Sequence, residues 1–547
     1  MKPLTSNHII YIVLLAAIPT LLYSFFSWNP IVFDDEPFFT GGAVYQYNNT
    51  FSPLTPRWLP LATLSWTYNH IGHDLVYFRS VNLALHIGNS IALFTLILQL
   101  YKAATPHPIS HNELTKVQLI AFFGAMIFAL HPVTVYATAY LMQRTILMAT
   151  LFSLLCLISY LHGLINKNNR WFLIAAAFYF LAVFSKEHSV LIPAIAMAIT
   201  LAIFKPSIEL LKQIALPFTL FFAIAIFITF RMSGYIGEAY EPMANELLQQ
   251  MSHFDHVDPA LAYPLSILTQ SHLFFKYLSL YLIPSPAWMS IDMREPFTTQ
   301  LVSWTYTISA IGFIIYPCIG AWLLLQRGRK GLLGLAMLYP WILFLVELST
   351  VRIQEPFVLY RSYLWLPGLF VALPILLRKL EKVKCITILS IACLLLTALS
   401  WNRLETFSHP LRLWNDAEIL IQNDNESLWR ERIYHNRGYA YLHLSHFDEA
   451  ITDFNKALSI NPKLYFSYFS RGRAFYETGK HSEALSDFNQ YITLRPSSAV
   501  GYRARGLTLG AMGDMANANK NFLIGCSLGD DDSCKKIDMK KPIHPNT

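Results

Sequence analysis

The run HIIYIVLLAAIPTLLYSFF, residues 8–26, is continuously apolar and long enough to cross a lipid bilayer as a helix. It is too long for the apolar region of a signal peptide, and no small-residue cleavage site follows it, so we expect it to be retained. Similar runs recur through most of the first 400 of the 547 residues. Because they are continuous and not alternating, they exclude a β-barrel and predict an all-α, polytopic membrane domain over residues 1–400.

Positive charge decides how many of these runs cross the membrane, because Lys and Arg gather in cytoplasmic loops. The basic loops fall on one side only if the apolar stretch 266–284 lies at the interface or re-enters, and does not cross. The N-terminus is then cytoplasmic, while loops 27–79 and 232–300 and the chain after residue 400 face outward. The eleven predicted spans are 8–26, 80–101, 117–130, 145–164, 171–184, 189–204, 214–231, 301–325, 331–349, 363–378 and 384–400.

The overall excess of positive charge is modest. The net charge is +7; residues 401–547 hold 18 Lys and Arg against 17 Asp and Glu, which leaves 23 against 17 in the first 400. This distribution suits cytoplasmic loops and does not suggest nucleic-acid binding. Among the six cysteines, Cys526 and Cys534 lie eight residues apart and would join only in an oxidising compartment. No pair of cysteines has metal-ligand spacing.

The C-terminal part repeats with a period of 34 residues. Small and bulky residues recur at fixed offsets, as in tetratricopeptide repeats, where Gly and Ala allow two helices to touch and Phe fills their shared core. The positions are Gly438, Ala450, Phe454 and Pro462, then Gly472, Ala484, Phe488 and Pro496, then a weaker copy at Gly506, Ala518 and Phe522. We predict a repeat domain at 431–540, with repeats 431–464, 465–498 and 499–532, preceded by a lead-in helix and linker at 401–430.

Polar and ionisable side chains gather at the predicted outer ends of the spans. Ionisable groups at membrane depth are costly unless they are paired or face water, so each is a functional candidate. A transporter should instead show polar groups near the midplane and broken helices in matching halves, which we do not find. The candidates are Asp34, Asp35, Arg57, Arg79, Asn82, His86, His131, Gln143, Arg144, Lys186, Glu187 and Arg361.

The order of these motifs resembles the transmembrane-and-tetratricopeptide O-mannosyltransferase family and its bacterial relatives, within the GT-C glycosyltransferase superfamily. The resemblance implies about seven core helices, an acidic catalytic pair in the first outer loop, and sugar transfer from a polyprenyl-phosphate carrier to an acceptor outside the membrane. Tyr136 stands where relatives often carry an acid, and the short repeat array favours a bacterial inner-membrane protein with periplasmic repeats. The motifs are FDD (33–35), PRWLPLATLSW (56–66), FRSVNLALHIGNS (78–90), ALHPVTVYATAYLMQR (129–144), SKE (185–187) and LYRSYLWLPG (359–368).

Elementary chemistry assigns roles to these residues. A carboxylate beside a hydroxyl acceptor can take its proton, so Asp34 is the predicted base and Asp35 the second acid, which orients the acceptor or binds a cation. The carrier leaves as a phosphate anion that nearby cations stabilise. No cofactor is predicted with certainty, and a divalent cation remains open. The predicted carrier and sugar site comprises Arg57, His86, His131, Arg144, Lys186, Glu187 and Arg361.

The same residues also have structural interpretations, which the sequence leaves open. The acidic run could be a solvated boundary, and Arg57 could stack at the interface. His86 could bond to a neighbouring helix, and His131 could cap one. Arg144 and Lys186 could form structural ion pairs with Glu187 or Glu355.

Three other functions compete with protein O-glycosylation. One is a non-enzymatic membrane scaffold whose repeats recruit partners for envelope or surface-structure assembly. Another is an enzyme of the same superfamily that acts on a glycan or lipid acceptor, and the third is a solute transporter. The repeats either hold the acceptor protein or, being few, only cap the membrane domain.

Overall fold

The computed structural model describes residues 6–33, 35–40, 55–105, 109–239, 241, 243–254, 257–422 and 427–538. Within these ranges the secondary structure is helical, apart from one isolated antiparallel bridge between Met293 and Phe357. The predicted all-α class is therefore confirmed. The chain divides into two compact units, and the division falls between His409 and Pro410.

The first unit is a bundle of long apolar helices joined by short helical turns. Its 3₁₀ helices are Leu141–Gln143, Glu187–Leu191, Ser233–Tyr235, Pro259–Leu261, Pro286–Trp288, Leu345–Ser349, Leu359–Leu364 and Leu366–Ala372. Its α-helices are α1 (Ser6–Ser24), α2 (Asp35–Thr40), α3 (Trp58–His70), α4 (Leu75–Ala103), α5 (His111–Ala129), α6 (Pro132–Thr138), α7 (Arg144–Asn166), α8 (Asn169–Ser185), α9 (Ile192–Ile203), α10 (Ile208–Arg231), α11 (Ala244–Phe254), α12 (Ala262–Leu282), α13 (Trp304–Leu325), α14 (Gly328–Phe344), α15 (Leu373–Leu376) and α16 (Lys382–Thr406).

Seven helical stretches of the described residues are long and apolar enough to cross a membrane, or eight if the bent pair α5–α6 counts as one span. The pair bends by 60° at its break. Three shorter apolar helices, His8–Ser24, Asn169–Ser185 and Glu187–Ile203, add to these. All of these segments overlap the predicted spans, while the number of spans that cross a membrane stays a prediction.

The ambiguous stretch 266–284 forms most of α12, which is not among the candidate spans. This helix packs along the segment that follows α14. In the first half of α12, Gln270 donates a hydrogen bond to the carbonyl of Pro356 (2.7 Å), and near the end of the helix the Tyr281 hydroxyl donates to the carbonyl of Ser362 (3.2 Å). A helix that lies along a predicted outer loop over this length agrees with an interfacial position.

Close helix packing in the first unit depends on small residues. A Cβ atom added at Gly334 of α14 would lie 2.4 Å from the carbonyl oxygen of Gly320 in α13 and 2.3 Å from the amide nitrogen of Leu324. No side chain fits in that space. The two glycines therefore allow α13 and α14 to approach backbone to backbone, as small residues do in membrane helix pairs.

The second unit is a stack of helix pairs. Each pair forms one repeat, and the lead-in helix α17 packs with them and buries Trp414. A disulfide between Cys526 and Cys534 joins the last two helices. The helices are α17 (Pro410–Ile421), α18 (Glu431–His443), α19 (Phe447–Ile460), α20 (Tyr465–Glu477), α21 (His481–Leu494), α22 (Ala499–Ala511), α23 (Met515–Ser527) and α24 (Asp531–Asp538).

A guanidinium occupies the same place in each repeat and bonds to the second helix of that repeat. In the first two repeats its acceptor is a carboxylate, whereas in the third it is the amide oxygen of Asn521. The distances from Nε to the acceptor oxygen are 2.7 Å for Arg437–Asp453, 2.8 Å for Arg471–Asp487 and 2.8 Å for Arg505–Asn521. The third repeat thus keeps the hydrogen bond but lacks the opposite charge.

The third repeat offers a test of this packing. A Cβ at Gly506 would lie 2.8 Å from the Phe522 ring, so we expect Gly506→Ala to destabilise the unit by about 1–3 kcal/mol through overpacking. Gly510 lies in the same helix with its nearest neighbours at 3.9 Å, so Gly510→Ala should be neutral or stabilising by up to about 1 kcal/mol. Urea unfolding of residues 410–547, followed by circular dichroism, measures both, and equal effects would contradict this packing.

Candidate active site

The predicted base, Asp34, lies outside the described residues, but its neighbour Asp35 is described and buried. Both carboxylate oxygens of Asp35 accept backbone hydrogen bonds. Oδ2 lies 3.0 Å from the amide nitrogen of Leu141, and Oδ1 lies 2.8 Å from that of Met142. A carboxylate that accepts from consecutive amides at the start of a helical turn is strongly held. Asp35 thus anchors the first outer loop to the junction between α6 and α7.

The same junction is held from the opposite side by Asn82. Its side-chain nitrogen donates to the carbonyl oxygens of Tyr140 (3.4 Å) and Leu141 (3.3 Å). Its side-chain oxygen accepts from Nε of Arg144 at 3.0 Å. Asp35 holds the N–H groups and Asn82 holds the carbonyls, so the backbone at 140–142 is fixed by two buried side chains.

Arg144 is fully buried and, among the described residues, has no carboxylate partner. Its Nη1 donates to the hydroxyls of Thr63 (3.4 Å) and Thr67 (3.3 Å), and its Nη2 donates to the carbonyl of Phe78 (3.1 Å). The ion pair with Glu187 or Glu355 that the sequence left open is not formed. A buried guanidinium with neutral partners keeps its positive charge in a medium of low polarity, where it acts on anions nearby.

A second group of buried charges surrounds Glu347, in the helical turn that follows α14. We call it the Glu347 cluster; it comprises Glu347, His188, Arg352 and Arg361. One oxygen of Glu347 lies 2.7 Å from Nε2 of His188, and the other lies 3.2 Å from Nε of Arg352 and 3.1 Å from Nη1 of Arg361. Two chain segments, the one after α8 and the one at 351–361, therefore meet on one carboxylate.

The predicted residues Arg57 and Glu187 extend this cluster. They form a two-pronged ion pair in which Nε of Arg57 lies 2.9 Å from Oε2 of Glu187 and Nη2 contacts Oε1. Arg57 has a left-handed backbone (φ 61°), which is uncommon for a residue with a side chain. Nδ1 of His188 lies 3.5 Å from Glu187, so this histidine stands between two carboxylates. Arg57 is thus paired, and it is not limited to stacking at the interface.

Lys186 differs from the other cations of this region. Its side chain is only 6% exposed, yet it has no hydrogen-bond or ion-pair partner within the part of the chain that the structure describes. Its Nζ lies 6.0 Å above the ring of Tyr360. Burial, and then the positive charge of Arg57, lower the pKa of Lys186 to about 7. A buried ammonium without a close opposite charge is stabilised when an anion binds beside it.

The second long outer loop reaches the same region through Glu241. Its Oε2 accepts from the backbone amides of Gln354 (2.7 Å) and Glu355 (3.3 Å), and its Oε1 lies 3.9 Å from Nη1 of Arg352. Burial raises the pKa of Glu241. The second long outer loop therefore contributes an acid to the edge of the Glu347 cluster.

A row of aromatic rings connects the two groups of charges. The ring centroids of Phe33 and Tyr140 are 6.1 Å apart, and those of Tyr140 and Tyr360 are 6.0 Å apart. Lys186 lies over the last of these rings. The first outer loop, the junction before α7 and Lys186 are thus neighbours across two aromatic contacts.

The two predicted histidines are buried, and both ring nitrogens of each are hydrogen-bonded to the protein. Nδ1 of His86 bonds to the Tyr363 hydroxyl (2.7 Å) and its Nε2 to the carbonyl of Ala129 (3.0 Å). Nδ1 of His131 accepts from the amide of Val133 (3.3 Å) and thereby caps α6, while its Nε2 donates to the carbonyl of Tyr281 (3.3 Å). These contacts are the structural alternatives that the sequence left open, and a role at the sugar stays a prediction.

Sequence reasoning missed the centre of the cluster. Neither Glu347 nor His188 was among the candidates, although both lie at the predicted outer ends of apolar segments. An acid inside the predicted span 331–349 was the available signal, because such residues are rare in membrane segments. Among the described residues no group of three or more His, Cys, Asp or Glu could hold a metal ion.

The charge of Glu347 is the most informative one to remove. Glu347→Gln leaves Arg352 and Arg361 buried without their shared carboxylate, which we expect to cost about 3–5 kcal/mol of stability. Glu381→Gln is the matched control, because that side chain is 74% exposed and should change stability by less than about 0.5 kcal/mol. Thermal unfolding in detergent compares the two variants, and equal midpoints would rule out a supporting role for the cluster.

Comparison with known proteins identifies the repeats. Two tetratricopeptide-repeat family profiles match this chain, one at residues 431–464 and one at residues 467–498. The predicted repeats are confirmed there, and α22 and α23 add a third helix pair of the same form. The profiles cover a small part of the chain, and no curated protein matches it.

Solved structures that match part of this chain include a tetratricopeptide domain and MamA. The first tetratricopeptide domain of Spaghetti (RPAP3), bound to an HSP90 peptide, is 22% identical over 20% of this chain and 88% of its own length, with a TM-score of 0.20. MamA AMB-1 is 20% identical over 25% of this chain and 78% of its own length, with a TM-score of 0.21. Neither likeness bears on the activity of this chain, and the resemblance to glycosyltransferases stays a prediction.

Proposed function

We propose that the first unit is a membrane glycosyltransferase that moves a sugar from a polyprenyl-phosphate carrier to a protein hydroxyl. The observation that carries this proposal is Lys186, a buried cation without a described partner, which lies close to Arg57 and Arg361 and near the first outer loop. A buried cation that can bind an anion, next to a segment that carries acids, suits a reaction whose leaving group is a phosphate.

The cations divide into two roles. Arg57 and Arg361 already bind the carboxylates of Glu187 and Glu347, so they set the shape and potential of the site. Lys186 is then the direct phosphate ligand. The buried charge of Arg144 adds to the same potential from the junction before α7. A preorganised set of this kind stabilises negative charge that develops on the leaving oxygen.

The two acids of the first outer loop, Asp34 and Asp35, also have different roles. Both oxygens of Asp35 are occupied by the amides of Leu141 and Met142, so it suits the role of anchor. Asp34, the next residue along the chain, is then the general base. It takes the acceptor's proton as the new bond forms between the acceptor oxygen and the anomeric carbon, and the bond from that carbon to the phosphate oxygen breaks. One displacement of this kind inverts the sugar. No cofactor is proposed, and a divalent cation remains open.

The repeats supply the acceptor in this proposal. Tetratricopeptide repeats present a surface for peptides and proteins, so a protein acceptor held by residues 431–498 is favoured over a glycan or lipid. We place the reaction on the periplasmic face of a bacterial inner membrane, where the predicted topology puts both the acidic loop and the repeats.

The repeats also favour one alternative, a membrane scaffold without catalysis, because repeat matches are established for part of the chain. The scaffold requires the repeats and no carboxylate in the first outer loop. It therefore predicts full function when Asp34 is replaced, and loss of function when residues 430–540 are deleted.

The decisive comparison is between two neighbouring acids. Asp34→Asn should lower transfer by at least about a hundredfold, because the base is lost, while thermal stability stays unchanged. Asp35→Asn should instead lower stability, because an amide nitrogen would face the amide of Leu141 or Met142. Intact-mass analysis of exported proteins, with the gene deleted and then restored as each variant, detects the sugar adduct. Full adduct formation by Asp34→Asn would remove this residue from the mechanism.

A second test uses pH. Because the pKa of Lys186 is lowered to about 7, its ammonium is present below pH 7 and is lost as the pH rises. Transfer should therefore fall about tenfold between pH 6 and pH 8. Lys186→Arg keeps its charge throughout and should remove this alkaline decline. An identical pH profile in the two proteins, measured with the acceptor that mass analysis identifies, would contradict a phosphate contact.

A further inference from the structure

A cavity of about 370 Å³ lies at the opposite end of α5 from the candidate active site. It is bounded by the first turns of α5 and α14 and by the segment that follows α15. As α5 is 19 residues long, the two ends are about 28 Å apart. The cavity thus lies at the helix ends where the basic loops predict the cytoplasmic side, and it shares no residue with the site described above.

Three cations from three segments converge on this cavity: Lys116, Arg329 and Arg378. One acid among its described lining residues, Glu113, faces them. Arg329 donates to Oε1 of Glu113, which also accepts from the Tyr101 hydroxyl at 2.9 Å. One carboxylate against three cations leaves an excess of two positive charges.

The cations are only partly satisfied by the protein. The guanidinium of Arg378 has no hydrogen-bond or ion-pair partner within the described ranges, and there too Nε of Arg329 is buried without a hydrogen-bond partner. Lys116 donates to the carbonyl of Arg378 (2.6 Å), so this contact holds the segment after α15 against α5. The protein thus fixes the geometry of the cavity but leaves donors for an outside acceptor.

The remaining wall of the cavity is apolar. Val117 and Ile120, one turn apart on α5, lie along it together with Pro374. A small free anion gains nothing from such a wall, whereas a headgroup that carries a glycerol and acyl chains buries apolar surface there. Basic pockets between membrane helices on the cytoplasmic side are known to suit anionic lipid headgroups.

We propose that this cavity binds the phosphate of an anionic phospholipid from the cytoplasmic leaflet. The cations neutralise the phosphodiester, and the apolar wall receives the glycerol and the first part of the acyl chains. The proposal rests on the predicted crossing of the membrane by the apolar helices and does not depend on the glycosyltransferase activity.

The test is lipid binding by the full chain in detergent, followed by native mass spectrometry and thermal stability. We expect phosphatidylglycerol to bind and to raise the unfolding midpoint, while zwitterionic phosphatidylethanolamine does neither. Arg378→Gln should weaken phosphatidylglycerol binding about fivefold, since one basic residue is lost. Lys384→Gln removes the same charge outside the cavity, from a side chain that is 64% exposed, and should change binding less than twofold.

Several outcomes would overturn the proposal. Equal binding of the two lipids, or equal weakening by Arg378→Gln and Lys384→Gln, would show that no selective site exists. A shift of the midpoint by inorganic phosphate as large as that by phosphatidylglycerol would show a free-anion site. The Asp34→Asn variant should bind phosphatidylglycerol normally, so failure of the proposed transfer reaction and failure of this site are told apart.

Discussion

The burial of Glu347 against two arginines and a histidine is the interaction on which the predicted outer end of the first unit depends. Isolated buried charges are costly, and a buried carboxylate is retained only where several partners satisfy it. Here those partners come from the segment after α8 and from the segment 351–361. The need to satisfy one carboxylate thus brings together chain segments that are more than 150 residues apart. Lys186 lies beside this group and receives no such partner among the described residues, which distinguishes it from its neighbours.

The first outer loop is held by a different kind of contact. Asp35 bonds to backbone amides, and Asn82 bonds to the adjacent carbonyls. Backbone groups have fixed positions once a helix begins, so these contacts position a loop more firmly than ion pairs between long side chains would. The start of α7 therefore serves as the reference point for the acidic loop, and Arg144 in its first turn ties that point to α3 and α4.

Much of the architecture could be predicted from the sequence, because long apolar runs and a 34-residue period are strong local signals. The positions of α4, α7 and the repeat pairs follow directly from them. Arg57, Arg144 and Lys186 lie at helix ends as the sequence predicts, yet their partners were not foreseen, and the roles of the candidate residues stay predictions. Arg57 pairs with Glu187, whereas the sequence suggested Arg144 or Lys186 for that acid. Partners of this kind depend on the packing of segments that are distant along the chain. A single sequence does not show which of these segments lie close together in space. Glu347 was missed because it lies within an apolar run that reads as an ordinary span.

The guanidinium of the third repeat has a consequence for how that repeat is held. In a stacked solenoid each unit is stabilised by its own contacts and by those with its neighbours. Arg437 and Arg471 donate to carboxylates, but Arg505 donates to the amide oxygens of Asn521 and Asn489 and to no carboxylate among the described residues. Asn489 belongs to α21, so Arg505 links the second repeat to the third through acceptors that carry no opposite charge. The third repeat thus lacks an ionic contribution that the first two have, and the cystine between α23 and α24 adds a covalent constraint beside it.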